Sequence, residues 1–434
     1  MGDAWLLVAG LVALGAALVW FAHLALPRRG LLAFPLDLSV YRDAGLIVRH
    51  VRPFYRAGRA SPLYDWPGLP GHSGLTFTYP PFAALPFSLM SRFSLHALGR
   101  LFALADLLAV PSVIWIAFGA LGWPRGTRRL GLTMLATAVA LLTEPVQRTI
   151  NLGQVDILLM ILVVWDLCQP DRRWWKGAGV GLAAGIKLVP LIFIPYLLLT
   201  RRFKQASVAA AAFAATVIIG FAALPHDSSR WWLHGLVIGG SYSGTNRYVG
   251  NQSLLAILAR TGSPAWHTEW LVVAAVAAVA GLAVATLLDR AGQRMLGLAA
   301  CALTGLLVSP ISWDHHWVWI VLAAPVLVHY ALRARGLARW AWLGLAGLVP
   351  AIFGAWPVWL WGAIPQPLGW PLGLIWAPPS GDNREIGWHS FQLIVGNAYV
   401  LTGLALFVLL LVVALTTYRN SRAKDLGPPR DVAF

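Results

Sequence analysis

The chain has 434 residues, 58% of them hydrophobic and only 12% charged, with a formal charge of +16 at pH 7 and a mean hydropathy of +0.68. That charged fraction is about half of what a soluble domain carries, which excludes an ordinary soluble enzyme. No basic-aromatic module of a nucleic-acid binder is present, and basic residues in so apolar a chain read as contacts with cytoplasm and lipid headgroups.

Apolar runs near the ~20 residues needed to cross a bilayer recur along the chain. Taken in order, full spans are expected at 5–26, 97–119, 130–146, 154–168, 206–223, 268–288, 295–310, 317–333, 340–361 and 394–417. The first run lacks a basic leader and is too long for a typical signal-peptide core, so it reads as a retained helix. Basic clusters separate the spans: Arg125, Arg128 and Arg129; Arg172, Arg173 and Lys176; Arg201, Arg202 and Lys204; Arg290 and Arg294; Arg333, Arg335 and Arg339; Arg419, Arg422 and Lys424. All are expected on the cytoplasmic side. The two cysteines, Cys168 and Cys301, give neither a disulfide framework nor metal-site spacing.

One interval resists this count. Between Lys176 and Arg201 lies a single apolar stretch, broken at "KLVP" by Pro190. A single kinked crossing would carry Arg201, Arg202 and Lys204 outside. Gly177 to Lys187 would rise only ~15 Å as a helix, about half the ~30 Å hydrocarbon core. Two short helices forming a hairpin that returns to its own side keep every basic cluster inside, and broken helices are tolerated where they line a cavity. The expected fold is therefore all-α and polytopic, about ten full spans plus a broken-helix hairpin, roughly 12 helices. Residues 1–418 form one transmembrane domain and 419–434 a basic cytoplasmic tail. The outer segments are 27–96, 147–153, 224–267, 311–316 and 362–393.

The first outer loop opens with an amphipathic helix. Leu36, Val40, Ala44, Ile47 and Val51 follow helical spacing, with Arg42, Arg49, Arg52 and Arg56 as a basic stripe. Such a helix suits the membrane interface. Asp37 is either its N-cap or a general base at the membrane surface. Asp43, six residues on, points to another face. Asn251, Gln252 and Ser253 precede an apolar run and serve as a cap or as ligand contacts. Lys187 lies at mid-membrane depth, where lysine costs about 2.5–3.5 kcal/mol and marks function unless it snorkels. In "SWDHHWVW", Asp314, His315 and His316 sit among Trp313, Trp317 and Trp319. Neighbouring α-helical histidines diverge by ~100°, which argues against joint chelation of one metal. They read as belt residues or as donors that neutralise an anion. The last outer loop holds Trp370, Trp376, Trp388, Asp382, Arg384, Glu385 and His389.

Six blocks in order, "DLSVYRDAG" (37–45), "TYPPFAALPF" (78–87), "NLGQVDILL" (151–159), "GLAAGIKLVPLIFIPYLL" (181–198), "NQSLLAIL" (251–258) and "SPISWDHHWVW" (309–319), give a pattern that resembles glycosyltransferase family 87, a branch of the GT-C membrane glycosyltransferases. The resemblance implies a GT-C fold with an extracytoplasmic active site in the plasma (inner) membrane. It implies transfer of mannose from a polyprenyl-phosphate-mannose donor to a glycolipid acceptor in an α-1,2 linkage. It places Asp37 as catalytic base and maps the family's histidines onto His315 and His316; these two, Lys187 and the basic stripe are the candidates for the donor phosphate, and Tyr41, Tyr79, Asn251, Gln252, Trp313 and Asp314 are expected at the substrates. No metal or other cofactor, and no nucleic-acid partner, is expected. The rival expectations are a polyprenyl-phosphate-arabinose donor on the same scaffold, and a transporter or lipid flippase, which would show paired broken helices in two related halves.

Overall fold

The computed structural model describes residues 2–25, 35–49, 62–65, 75–234, 246–356 and 372–425. Arg52, Arg56, Val51, Trp370 and the end of the chain lie outside them. The described residues are helical, with only isolated bridges and no strand. In chain order the α-helices are α1 (Gly2–Ala25), α2 (Leu36–Arg49), α3 (Pro62–Asp65), α4 (Pro81–Met90), α5 (Leu95–Ala120), α6 (Thr127–Leu141), α7 (Glu144–Leu152), α8 (Asp156–Leu167), α9 (Ala178–Ile186) and α10 (Phe193–Leu199). They continue as α11 (Phe203–Ala223), α12 (Pro225–Trp232), α13 (Leu254–Arg260), α14 (Trp266–Arg290), α15 (Arg294–Val308), α16 (Ala323–Arg333), α17 (Gly336–Phe353), α18 (Phe391–Gly396) and α19 (Ala398–Asp425).

Among the described residues, seven helical segments are long and apolar enough to cross a membrane: Asp3–His23, Leu95–Ala120, Phe203–Ala223, Trp266–Arg290, Asp314–Arg333, Gly336–Phe353 and Ala398–Thr417. The remaining three expected spans coincide with α6, α8 and α15, of 15, 12 and 15 residues. The pair α7–α8 turns through 114° at its break. Gly153 makes that turn in the left-handed region, at φ 67°, where a glycine avoids the Cβ clash.

The interval 177–200 is a hairpin. Its limbs are α9 and, after a 3₁₀ turn at Val189–Ile192, α10. Added Cβ atoms at Gly177 and Gly181 would each lie 2.2 Å from the carbonyl oxygens of Gln205 and Ala209, and one at Gly185 would lie 2.3 Å from the Thr216 hydroxyl. The contacts advance in the same direction along both helices, so α9 and α11 run parallel. A single crossing from 177 to 199 would have made them antiparallel. Glycine at every fourth residue puts one bare face of α9 against α11, which is how the two backbones come so close.

The basic segments consequently meet at one end. Asp171 pairs with Lys176 at 2.7 Å and with Arg294 at 3.3 Å. Arg202 grips Asp289 through two bonds of 2.8 and 2.9 Å, and Arg290 donates to the Leu199 carbonyl. Trp123 Nε1 donates to His329, which Arg333 also contacts. The opposite end holds α2, α7 and the turn leading into Asp314–Leu322. There α2 buries Leu38, Val40, Tyr41, Ala44 and Ile47 and leaves Arg49 exposed, while Arg42 donates to the Phe93 carbonyl.

Candidate active site

The helix α2 begins one residue before Asp37, so Asp37 lies in the first turn and is not its cap. Its Oδ2 instead accepts from Gln154 Nε2 at 2.7 Å. The amide cannot turn over without loss, because its Oε1 accepts from the hydroxyls of both Tyr41 and Tyr79, the latter at 2.9 Å. Tyr41 is stacked on Phe87, with ring centres 4.5 Å apart. Desolvation by burial pushes the Asp37 carboxyl above the usual carboxylate range, against the opposing pull of His315, the Gln154 bond, Arg148 and Lys187. Asp43, the rival carboxylate, is buried in the same helix.

Lys187 stands at the hairpin's break in extended backbone, φ −144° and ψ 127°. Its Nζ lies 2.6 Å from Asp156 Oδ1 and 5.4 Å from the centre of the Tyr79 ring. It is thus a largely buried ion-pair partner and does not snorkel. The carboxylate of Asp156 opens α8, and its other oxygen faces His315 Nε2 at 3.9 Å. The opposite nitrogen of His315, Nδ1, lies 3.1 Å from Asp314 Oδ1, which also accepts from the His315 backbone N–H. Asp314 Oδ2 in turn accepts from Arg148 Nε at 3.2 Å. Behind Arg148, Glu144 is held by Tyr399 at 3.0 Å and Trp376 at 3.2 Å.

Three buried atoms in this cluster make no hydrogen bond: Asp156 Oδ2, His315 Nε2 and His316 Nδ1. They belong to a group whose ligand atoms lie within 4.8 Å of one another, a set that could hold a metal ion. Adjacent histidines therefore do share one site here. Asp314–Leu322 is a 3₁₀ helix, not an α-helix, and Asp156 arrives from α8 to complete the set. Buried polar groups without partners are uncommon, and a bound water, ion or substrate group would satisfy them. Nitrogens carrying protons suit an anion's oxygens, and bare nitrogens suit a cation.

Asn251, Gln252 and Trp313 frame this cluster from behind. Asn251 Oδ1 accepts from the Ser312 N–H at 3.0 Å, and its Nδ2 donates to the Pro310 carbonyl. Gln252 Nε2 donates to the carbonyls of Val249 and Gly396. The helix cap is Ser253, whose Oγ accepts from the Ala256 N–H. Trp313 bridges to Asn251 through the backbone and packs edge-on against Tyr248. These residues hold the 246–253 and 309–314 turns together, while Asp37, Tyr41, Tyr79, Lys187, Asp314, His315 and His316 converge. Sequence reasoning singled out neither Gln154 nor Asp156, although both stand in "NLGQVDILL". It also passed over Glu144 and Arg148, whose spacing of four on a polar helix between apolar runs was the available signal.

Comparison with known proteins bears on what this cluster does. The family model of glycosyltransferase family 87 matches residues 77–310. A polyprenol-phosphate-mannose-dependent alpha-(1-2)-phosphatidylinositol mannoside mannosyltransferase of Mycobacterium tuberculosis is 31% identical over 91% of this chain and 89% of its own length. The chain belongs to glycosyltransferase family 87. A family 87 enzyme transfers a sugar, so the transporter reading falls. A second M. tuberculosis relative, a polyprenol-phosphate-mannose-dependent alpha-(1-2)-phosphatidylinositol pentamannoside mannosyltransferase, is 33% identical over 79% of this chain and 76% of its own length. An alpha-(1->3)-arabinofuranosyltransferase of Corynebacterium glutamicum is 26% identical over 71% of this chain and 80% of its own. No solved structure matches. The family match contains Arg148, Gln154, Asp156 and Lys187, but Asp37, His315 and His316 lie beyond its limits.

Proposed function

We propose that this family 87 enzyme transfers mannose, with inversion, from a polyprenyl-phosphate donor to a hydroxyl of a lipid-linked mannoside, forming an α-1,2 linkage. The observation that carries the reading is the convergence of one positioned carboxylate, Asp37, with Lys187, His315 and His316. Asp37 Oδ2 is held by Gln154, so Oδ1 is the oxygen that takes the acceptor's proton. The acceptor oxygen then bonds to the anomeric carbon as the bond from that carbon to the phosphate oxygen breaks. The leaving lipid phosphate gains a negative charge, and fixed cations aimed at that charge lower the barrier. Lys187 supplies the charge, and the unpartnered nitrogens of His315 and His316 are placed to donate hydrogen bonds to the phosphate oxygens. Tyr41 and Tyr79 act through Gln154.

The Lys187 ammonium favours an anion over a metal at Asp156, His315 and His316. An ammonium about 4 Å from a divalent ion repels it by roughly 8 kcal/mol at an effective dielectric of 20. Lys187 already neutralises Asp156. Donor and linkage follow the activities for which the two mannosyltransferase relatives are named.

For the membrane, α6, α8 and α15 are read as crossings alongside the seven longer segments, giving ten. Parallel packing of α1 on α6 supports this: a Cβ at Gly131 would touch Leu6 and one at Gly10 would touch Met134. The site then lies opposite every basic cluster, on the extracytoplasmic face of the plasma membrane. The deciding experiment incubates purified enzyme in lipid with polyprenyl-phosphate mannose and phosphatidylinositol mannosides, and determines the product linkage. Turnover with polyprenyl-phosphate arabinose and none with the mannose donor refutes the reading in favour of the arabinosyl alternative.

A further inference from the structure

At the basic end, one helix length from the catalytic cluster, lies a cavity of about 160 Å³. Its polar lining is Lys176, Tyr196, Arg202, Asp289 and Arg294, and its apolar lining includes Leu167, Leu197 and Leu298. Three cations line it, and only two carboxylates, Asp289 and the adjoining Asp171, answer them. Arg290 adds a further positive charge beside it. The Arg294 side chain keeps 63% of its surface exposed, so its guanidinium is available to an incoming group. A pocket lined by both cations and apolar side chains, at the ends of the spanning helices, suits a lipid at its phosphate. Basic pockets between such helices bind anionic headgroups.

We propose that this cavity binds the phosphate of an anionic phospholipid and so braces the base of the hairpin 177–200. Lys176 precedes α9, Tyr196 lies on α10 and Arg202 caps α11, so an occupant touches both feet of the hairpin whose tip carries Lys187. The effect on turnover rests on the role proposed for Lys187; the binding does not.

The test places the full chain in nanodiscs of phosphatidylcholine with or without phosphatidylglycerol and measures Tm. The expected result is a rise of about 2–4 °C with the anionic lipid, the stabilisation that a ligand binding only the folded state gives. That rise should fall by half or more in Arg294→Gln and disappear in Arg294→Glu. Asp37→Asn should keep it in full, which separates this site from the catalytic one. Equal Tm in both lipids, or an undiminished rise in both Arg294 variants, overturns the proposal. Inorganic phosphate in phosphatidylcholine discs giving the same rise overturns the lipid assignment and leaves a free-anion site.

Discussion

The two ends of the molecule are both built from charged side chains, yet they are finished differently. At the basic end Asp289 is held by Arg202 and Tyr196, and Asp171 by Lys176 and Arg294. At the other end Asp156, His315 and His316 are brought together with one atom each left unpartnered. Closed networks stabilise a join between helices. Open ones, in a buried place, leave atoms free for a bound group, as proposed for the donor phosphate, whereas at the basic end only the exposed Arg294 offers itself to a lipid.

Substitutions can break this contrast. The largest effect is expected for Asp37→Asn: sugar transfer falls by ~10³-fold or more, within the range for loss of a positioned general base, while Tm is unchanged. A variant with near wild-type turnover would move the base elsewhere, with Asp43 the first suspect. Next is Lys187→Met, which should reduce turnover by about 10²-fold and also destabilise by about 3–5 kcal/mol, because Asp156 is left buried and unpaired. The double variant Lys187→Met/Asp156→Leu should regain stability but not activity. If activity returns too, the pair is structural and the contrast between the ends collapses.

Gln154→Leu should cost about tenfold and shift the pH profile. As the proposed base, Asp37 would work only as a carboxylate, so turnover should be lost as pH falls through its value in the folded protein. The Gln154 bond holds that value down, so its removal should move the acidic limb to higher pH. An unmoved limb would mean that another group sets it. The smallest effect belongs to the basic end. Arg290→Gln should lower stability by less than ~1 kcal/mol with kcat unchanged, as for surface contacts generally.

Much of this contrast was legible beforehand, for different reasons at each end. The basic clusters announced themselves by composition, and the hairpin followed from a parity conflict plus Pro190. Asp37, His315, His316 and Lys187 stood out because charge in apolar surroundings is costly. Gln154 and Asp156 were not singled out, since an amide and an acid beside a glycine turn read as ordinary turn chemistry until Tyr41, Tyr79 and Lys187 are seen to point at them. Asn251 and Gln252 drew attention as polar residues ahead of an apolar run; Asn251 is occupied with a backbone N–H and carbonyl, and Gln252 Nε2 with two backbone carbonyls. Sequence shows which side chains are polar but not which of their atoms already have partners.

The glycine contacts of α9 with α11 carry one more consequence. A segment that returns to its starting face is neutral with respect to sidedness, so excising 177–200 should leave fusion reporters before and after it reading the same compartment. The enzyme would still thread itself correctly while lacking the ammonium proposed to serve turnover, so orientation and chemistry would be separable cargo of neighbouring stretches of chain.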